Sequence, residues 1–164
     1  MAPHSPLGHI SIGVRDYAVS KAFYTAALAP LGLKLVYDSE ATTTTPSPST
    51  STTASTSTTP TNTTTTTTPP PKKVRTLGYG RDSNNEVLNI FEFGAAAAPP
   101  GPGFHLAFDA PSRMAVVEFH AQATGAGGAD NGLPGVRRHY GASYFAAFVV
   151  DPDGWRLEAV CKDA

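Results

Sequence analysis

The chain has 164 residues, a formal net charge of −1 and a single cysteine, Cys161. Beyond Lys72-Lys73-Val74-Arg75 no basic cluster exists to displace the counterions of a nucleic acid, so that class of partner is not expected. No apolar run reaches the ~18 residues of a membrane span, the first residues lack a signal-peptide apolar core, and one cysteine cannot form an intramolecular disulfide. A cytoplasmic protein with no membrane contact is expected.

Leu7 to Val14 alternates, with Ile10, Ile12 and Val14 on one parity and His9, Ser11 and Gly13 on the other, as in a strand with two distinct faces. Asp16 is a helix cap, and a helix is predicted from Tyr17 to Leu28 with Val19, Ala22, Phe23, Ala26 and Ala27 as its inner stripe. Pro30 and Gly32 end it, and Leu33 to Tyr37 reads as a second strand. Residues 42–71 are almost entirely Thr, Ser and Pro, without charge and with nothing more apolar than Ala54. Such a run cannot bury enough surface to offset the entropy of ordering it, so an insert spanning 41–73 reads as disordered. Loop-closure cost grows only logarithmically with length, so a fold tolerates it between two strands.

Val74 to Gly80 follows as a third strand, Arg81-Asp82-Ser83-Asn84-Asn85 as a turn, and Val87 to Phe93 as a fourth strand. Residues 95–102, rich in Ala and Pro, form a linker. Phe104 to Ala110 is a strand, Ser112 a cap, Arg113 to about Thr124 a helix, and Gly125 to Gly128 its stop. Asn131 to Tyr140 reads as a loop or irregular strand ending in Arg137, Arg138, His139 and Tyr140, a cluster whose arginines can clamp carboxylates if it lines the site, with the exposed-loop reading preferred for Arg137. Tyr144 to Val150, the turn Asp151-Pro152-Asp153-Gly154 and Trp155 to Lys162 complete a hairpin.

The chain repeats itself. The stretch from His9 is echoed from His105, placing His9 on His105, Asp16 on Ser112, Phe23 on Phe119 and Gly32 on Gly128. Both halves read βαβββ, an α+β pair of modules over 7–94 and 103–162. Within the last hairpin Glu158 lies seven residues after Asp151, and in the first half Asn89 lies seven after Asp82. Asn89 is therefore the counterpart of Glu158. Glu92, three residues from Asn89, falls on the opposite strand face. Tyr24 and His120 are equivalent helix positions and read as packing or rim residues, while Asp151 and Asp153 belong to the turn.

His9, Asn89, His105 and Glu158 thus share one face. A histidine on a strand is commonly hydrogen-bonded structure and nothing more. Glu158, however, lies among Leu157, Ala159 and Val160, and a buried carboxylate there needs a cation, a proton or solvent. Two imidazoles and a carboxylate suit one divalent ion: Zn, Ni, Mn or Fe(II). Ser11, Asn89, Phe91, His139, Tyr140 and Tyr144 are the candidate substrate contacts, with His and Tyr able to donate to substrate oxygens.

Four motifs make the pattern specific: Leu7-Gly8-His9, Ala22-Phe23-Tyr24, Gly103 to Phe108, and above all Ala147 to Glu158, which contains Asp151-Pro152-Asp153-Gly154. Over nearly the whole chain apart from the insert, the sequence resembles the vicinal oxygen chelate superfamily, the group of glyoxalase I, bleomycin-resistance proteins and extradiol dioxygenases. The resemblance implies paired βαβββ modules forming a cupped mixed sheet around a metal that takes two adjacent substrate oxygens. It places the metal ligands on His9, His105 and Glu158. The fourth position, a glutamate in glyoxalase I, falls on Asn89, whose amide cannot serve as a base, which argues against lactoylglutathione lyase activity. Phe148 stands where extradiol dioxygenases carry a tyrosine, which weakens that reading.

The leading expectation is a metal-dependent lyase or isomerase acting on a small carbonyl or vicinal-oxygen substrate, with Glu158 as ligand and base and the metal as Lewis acid. The alternatives are a non-catalytic ligand-binding protein of the bleomycin-resistance type, an extradiol-type dioxygenase, and a scaffold whose metal site has decayed. Paired modules can close a cup within one chain or exchange between two copies as a homodimer, and the sequence leaves both open.

Overall fold

The computed structural model describes residues 7–41 and 73–163; the Thr-rich tract expected to be disordered lies outside the described residues. The first module runs β1 (Ile10–Val14), α1 (Tyr17–Leu28), β2 (Lys34–Asp38), β3 (Thr76–Gly80) and β4 (Glu86–Glu92). The second repeats it as β5 (Leu106–Asp109), α2 (Arg113–Gly125), β6 (Ala129–Val136), β7 (Phe145–Val150) and β8 (Arg156–Cys161). Each module builds a four-stranded mixed sheet, ordered β1-β4-β3-β2 and β5-β8-β7-β6, in which the helix crossover returns the chain so that β1 lies parallel to β4 and β5 to β8. The remaining pairs are antiparallel.

Local chemistry explains the elements. The Asp16 carboxylate accepts from the Val19 amide at 2.9 Å and the Ser112 hydroxyl from the Ala115 amide at 3.1 Å, each satisfying an otherwise orphaned helix donor. Gly32 leaves the first helical segment at φ +74°, the left-handed region that favours glycine. In each sheet one parity is apolar and packs on its helix. Val14, Leu77, Leu88 and Ile90 join Phe23 and Leu28, while Val149, Leu157 and Ala159 join Val116 and Phe119, all in one continuous core. A fully buried aromatic such as Phe23 or Phe119 contributes about 1.5–3 kcal/mol by leaving water.

The sheet register settles the correspondence between modules. Asn89 lies beside Ser11 and Gly78, and Glu158 beside Ala107 and Phe148. His9 and His105 each stand two residues before the strand partner of those positions, so Asn89 occupies the place of Glu158. Glu92 pairs with Val14, a core-facing position, and its carboxylate accepts from the Tyr17 amide at 3.2 Å and Arg75 Nε at 2.7 Å. It is a structural group turned away from the His9 face.

One expectation requires correction. The buried face of α1 is Tyr17, Ser20, Phe23, Tyr24, Ala27 and Leu28, whereas Val19 is 47% exposed and Ala22 is exposed. The helix is rotated because its polar groups have partners in the second module: Tyr24 OH donates to Asp151 at 2.7 Å, and Ser20 Oγ to Asp153 at 3.5 Å. Of the two readings of 131–140, the irregular strand is the one found: β6 covers 129–136, with two register shifts around Gly132 that erase the alternation.

The turn 151–154 joins the modules. Asp151, 4% exposed, also accepts from the amides of Asp153 at 2.9 Å and Trp155 at 2.7 Å. Burial pushes its pKa up, opposed by those donors and by Tyr24. Trp155 Nε1 donates to the Gly13 carbonyl at 3.0 Å, and the Arg15 amide to Asp153 at 3.2 Å. No helix among the described residues is long and apolar enough to cross a membrane.

Candidate functional site

Glu158 sits mid-strand in β8, 3% exposed, and both its oxygens are engaged. Oε1 accepts from the Tyr144 hydroxyl at 2.7 Å, and Oε2 lies 2.9 Å from His105 Nε2. This answers the question a buried carboxylate raises: an imidazole from the start of β5 and a phenol from the start of β7 converge on it. Burial, and then the bond to Glu158, push the Tyr144 pKa up to about 12, so the hydroxyl remains a donor through neutral pH.

Phe148 is the cross-strand neighbour of Glu158, and its ring lies edge-on to His105 with centroids 6.5 Å apart. The Arg137 guanidinium lies over the same ring, 5.3 Å from its centroid, and donates through Nη2 to the Leu133 carbonyl at 2.7 Å. Arg137 is therefore not a free loop residue. Its backbone amide bonds Tyr144 O at 2.7 Å just beyond β6, and a Cβ at Gly132 or Gly135 would come within 3.4 Å of the guanidinium. Two glycines of β6 thus leave the space it fills. The Tyr140 ring packs 5.1 Å from Tyr144, and the His139 ring 4.1 Å from Tyr140. Asn131, Gly132, Arg137, His139, Tyr140 and Phe148 line a cavity of about 330 Å³.

The expected site therefore divides. His105, Glu158, Tyr144, Tyr140 and His139 form one continuous set on the second module. His9 and Ser11 are exposed on the first module, Asn89 and Phe91 are half-buried, and Phe91 stacks on Phe93 at 6.2 Å. No hydrogen bond, ion pair or ring contact among the described residues joins these four to His105 or Glu158. Likewise, no group of three or more His, Cys, Asp or Glu side chains among them could hold a metal ion. The imidazole nitrogen and carboxylate of the second module are chemically suited to a divalent ion, as two ligands of a set that needs at least one more.

Sequence reasoning weighed Arg137 as a cup-lining clamp but preferred an exposed loop, because only the glycine spacing at 132 and 135 hints that its side chain folds back on the sheet. It missed the structural use of Tyr24, since nothing local marks a buried carboxylate more than a hundred residues away.

The Glyoxalase/Bleomycin resistance protein/Dioxygenase superfamily model matches residues 7–159. A glyoxalase/bleomycin resistance protein from Albidiferax ferrireducens T118 is similar over 96% of this chain and 98% of its own, at 25% identity and a TM-score of 0.63. Glyoxalase I from Zea mays is similar over 96% of this chain and 46% of its own, at 20% identity and a TM-score of 0.62. A family enzyme from Burkholderia phytofirmans PsJN is similar over 97% and 100%, at 17% identity and a TM-score of 0.57. A comparison with curated proteins returned no match. With two βαβββ modules in the strand order described above and a family match spanning both, this chain belongs to the Glyoxalase/Bleomycin resistance protein/Dioxygenase superfamily.

Proposed function

We propose that the chain is a glyoxalase-like, divalent-metal-dependent enzyme that acts on a small carbonyl or vicinal-oxygen substrate by lyase or isomerase chemistry. The observation that carries this is the His105–Glu158 pair at 2.9 Å, set at the positions equivalent to His9 and Asn89 in a second module of the same topology. His105, Glu158 and His9 would hold the ion. His9 stands on the other module's face, so it is supplied by a second copy, and a two-fold homodimer makes two such sites from one kind of contact. When bound, a divalent ion polarises substrate oxygens as a Lewis acid.

The chain's own residues supply the rest. Tyr144 keeps its proton and orients Glu158, whose carboxylate takes a proton from the substrate carbon beside the carbonyl. The Asn89 amide has no base to offer, so the site works with one carboxylate rather than two. A free, buried Cys161 accords with a reducing, cytoplasmic setting. A second reading, a ligand-binding protein of the bleomycin-resistance type, is favoured by the Arg137–Phe148 cavity, which needs no metal to take a ligand.

Metal analysis of the dialysed protein, with its solution mass, tests the proposal. One ion per chain in a dimer is expected, lost in His105→Ala and Glu158→Ala and retained in Glu92→Ala. No stoichiometric metal, and no thermal shift with Zn, Ni, Mn or Fe(II), would overturn it.

A further inference from the structure

The Arg137 guanidinium, which shares the Phe148 ring with His105, has no counter-charge among the described residues. Arg137 donates to the Leu133 carbonyl, and no described carboxylate forms an ion pair with it. Its neighbours are committed elsewhere: Glu158 to His105 and Tyr144, and Asp130 to His120 at 2.8 Å and the Gly132 amide at 2.9 Å. Yet the side chain is half-buried, held over Phe148 by its bond to Leu133 and fitted against the glycines of β6. A planar fork with five donors, ordered in advance and mostly unused, is the group that recognises a carboxylate with two hydrogen bonds.

The surrounding wall narrows the ligand. Tyr140 and Phe148 line the cavity together with Arg137 and His139, so aromatic faces flank the cation. Its 330 Å³ is at the small end of ligand sites. Phe148 has the guanidinium 5.3 Å from its centroid and the His105 ring 6.5 Å from it. A molecule anchored on Arg137 and lying along Phe148 therefore reaches towards His105 and Glu158.

We propose that Arg137 anchors the carboxylate of a small planar ligand, aromatic or conjugated, and so selects carboxylic acids as substrates of this site. This rests on the reading of the second module's sheet face as the binding cup, and not on the metal. Calorimetric titration of the full-length protein with benzoate, its neutral isostere benzamide, and inorganic phosphate tests it. Benzoate is expected to bind about tenfold or more tightly than benzamide, because the charge-assisted bonds are lost in the amide. Arg137→Gln abolishes that preference with an unchanged circular dichroism spectrum, and Arg137→Lys restores part of it. Arg81→Gln, at an exposed arginine of the first module's β3–β4 turn, binds benzoate as the parent does. Benzoate binding with this preference in a protein that metal analysis shows to hold no ion leaves this inference standing while the metal reading falls. Equal affinity for benzoate and benzamide, phosphate binding as tightly as benzoate, or an Arg137→Gln variant indistinguishable from the parent would each overturn it.

Discussion

The two modules agree in strand order, in their helix N-caps and in the register of the parallel pairs β1–β4 and β5–β8, and differ in what they load onto that frame. Where the second places Glu158 beside Phe148, the first places Asn89 beside Gly78. Where the second uses its β7–β8 turn to grip the other module through Asp151 and Asp153, the first uses its β3–β4 turn locally. There the Asp82 carboxylate accepts from the Asn84 amide at 2.9 Å and from the Asn85 side chain at 2.8 Å. The equivalent helix positions diverge in the same way. Tyr24 is fully buried against Asp151, whereas His120 pairs with Asp130 of its own module. One hairpin, residues 145–161, thus holds the modules together at its turn and carries the acidic group along its second strand. Fixing Glu158 on a strand whose turn is locked by buried hydrogen bonds limits its motion, as the role proposed for it requires.

The glycines that the repeat superposes give the largest test of this asymmetry. Gly32 has no neighbour within 4 Å of where a Cβ would stand, and glycine is needed there for its φ of +74°. At Gly128 a Cβ would lie 2.7 Å from Phe23, 2.9 Å from the Ala123 carbonyl and 3.0 Å from the Val150 carbonyl, at the packing point of the two modules. Gly128→Ala is expected to cost about 3 kcal/mol through overpacking against backbone, and Gly32→Ala about 1 kcal/mol through the left-handed backbone. Urea unfolding of both variants measures the difference. Equal losses would mean that the modules are not locked at Gly128.

These examples show how much of the molecule is legible without coordinates. Caps at Asp16 and Ser112, the Asp-Pro-Asp-Gly turn and the correspondence of Asn89 with Glu158 are written within a few residues each, and the structure places them as read. The buried face of α1 is not, because Ser20 and Tyr24 look solvent-facing until Asp151 and Asp153 arrive from the far end of the chain. β6 is half legible, as a loop or an irregular strand, because Gly132, Pro134 and Gly135 are poor strand formers and its register shifts remove the period-two signal. Arg137 inherits that obscurity. The residues facing the cup on each module are legible as a parity, but which module face meets which depends on packing that no local pattern encodes.

Tyr24→Phe tests the grip itself. It removes the only side-chain donor to Asp151 among the described residues while keeping the ring that packs edge-on against Phe23 at 5.0 Å. A loss of about 1–2 kcal/mol is expected from the acceptor left unmatched, with the chain still folded. A neutral result would show that the backbone amides of Asp153 and Trp155 satisfy Asp151 alone.

The smallest effect is read as a slope. Burial, and then the Asp151 charge, hold the Tyr24 pKa well above the ordinary tyrosine value, and burial raises Tyr79 too. The sign follows from proton counting: above about pH 10 the unfolded chain releases these protons and the folded chain keeps them, so the unfolded state gains and stability falls. Each such tyrosine adds up to about 1.4 kcal/mol of lost stability per pH unit. Below pH 10 both states are protonated, and neither residue contributes a pH dependence. Unfolding free energies of the parent between pH 9 and 11.5 (a range set by the ordinary tyrosine pKa of about 10) should therefore stay level and then decline. In Tyr24→Phe the alkaline decline should be shallower by one proton's share, even though the variant starts from lower stability. An unchanged slope would place the alkaline sensitivity outside the Tyr24–Asp151 contact, and would break the contrast between Tyr24, whose hydroxyl reaches the second module, and Tyr79, whose hydroxyl bonds Thr25 and Lys21 of its own module.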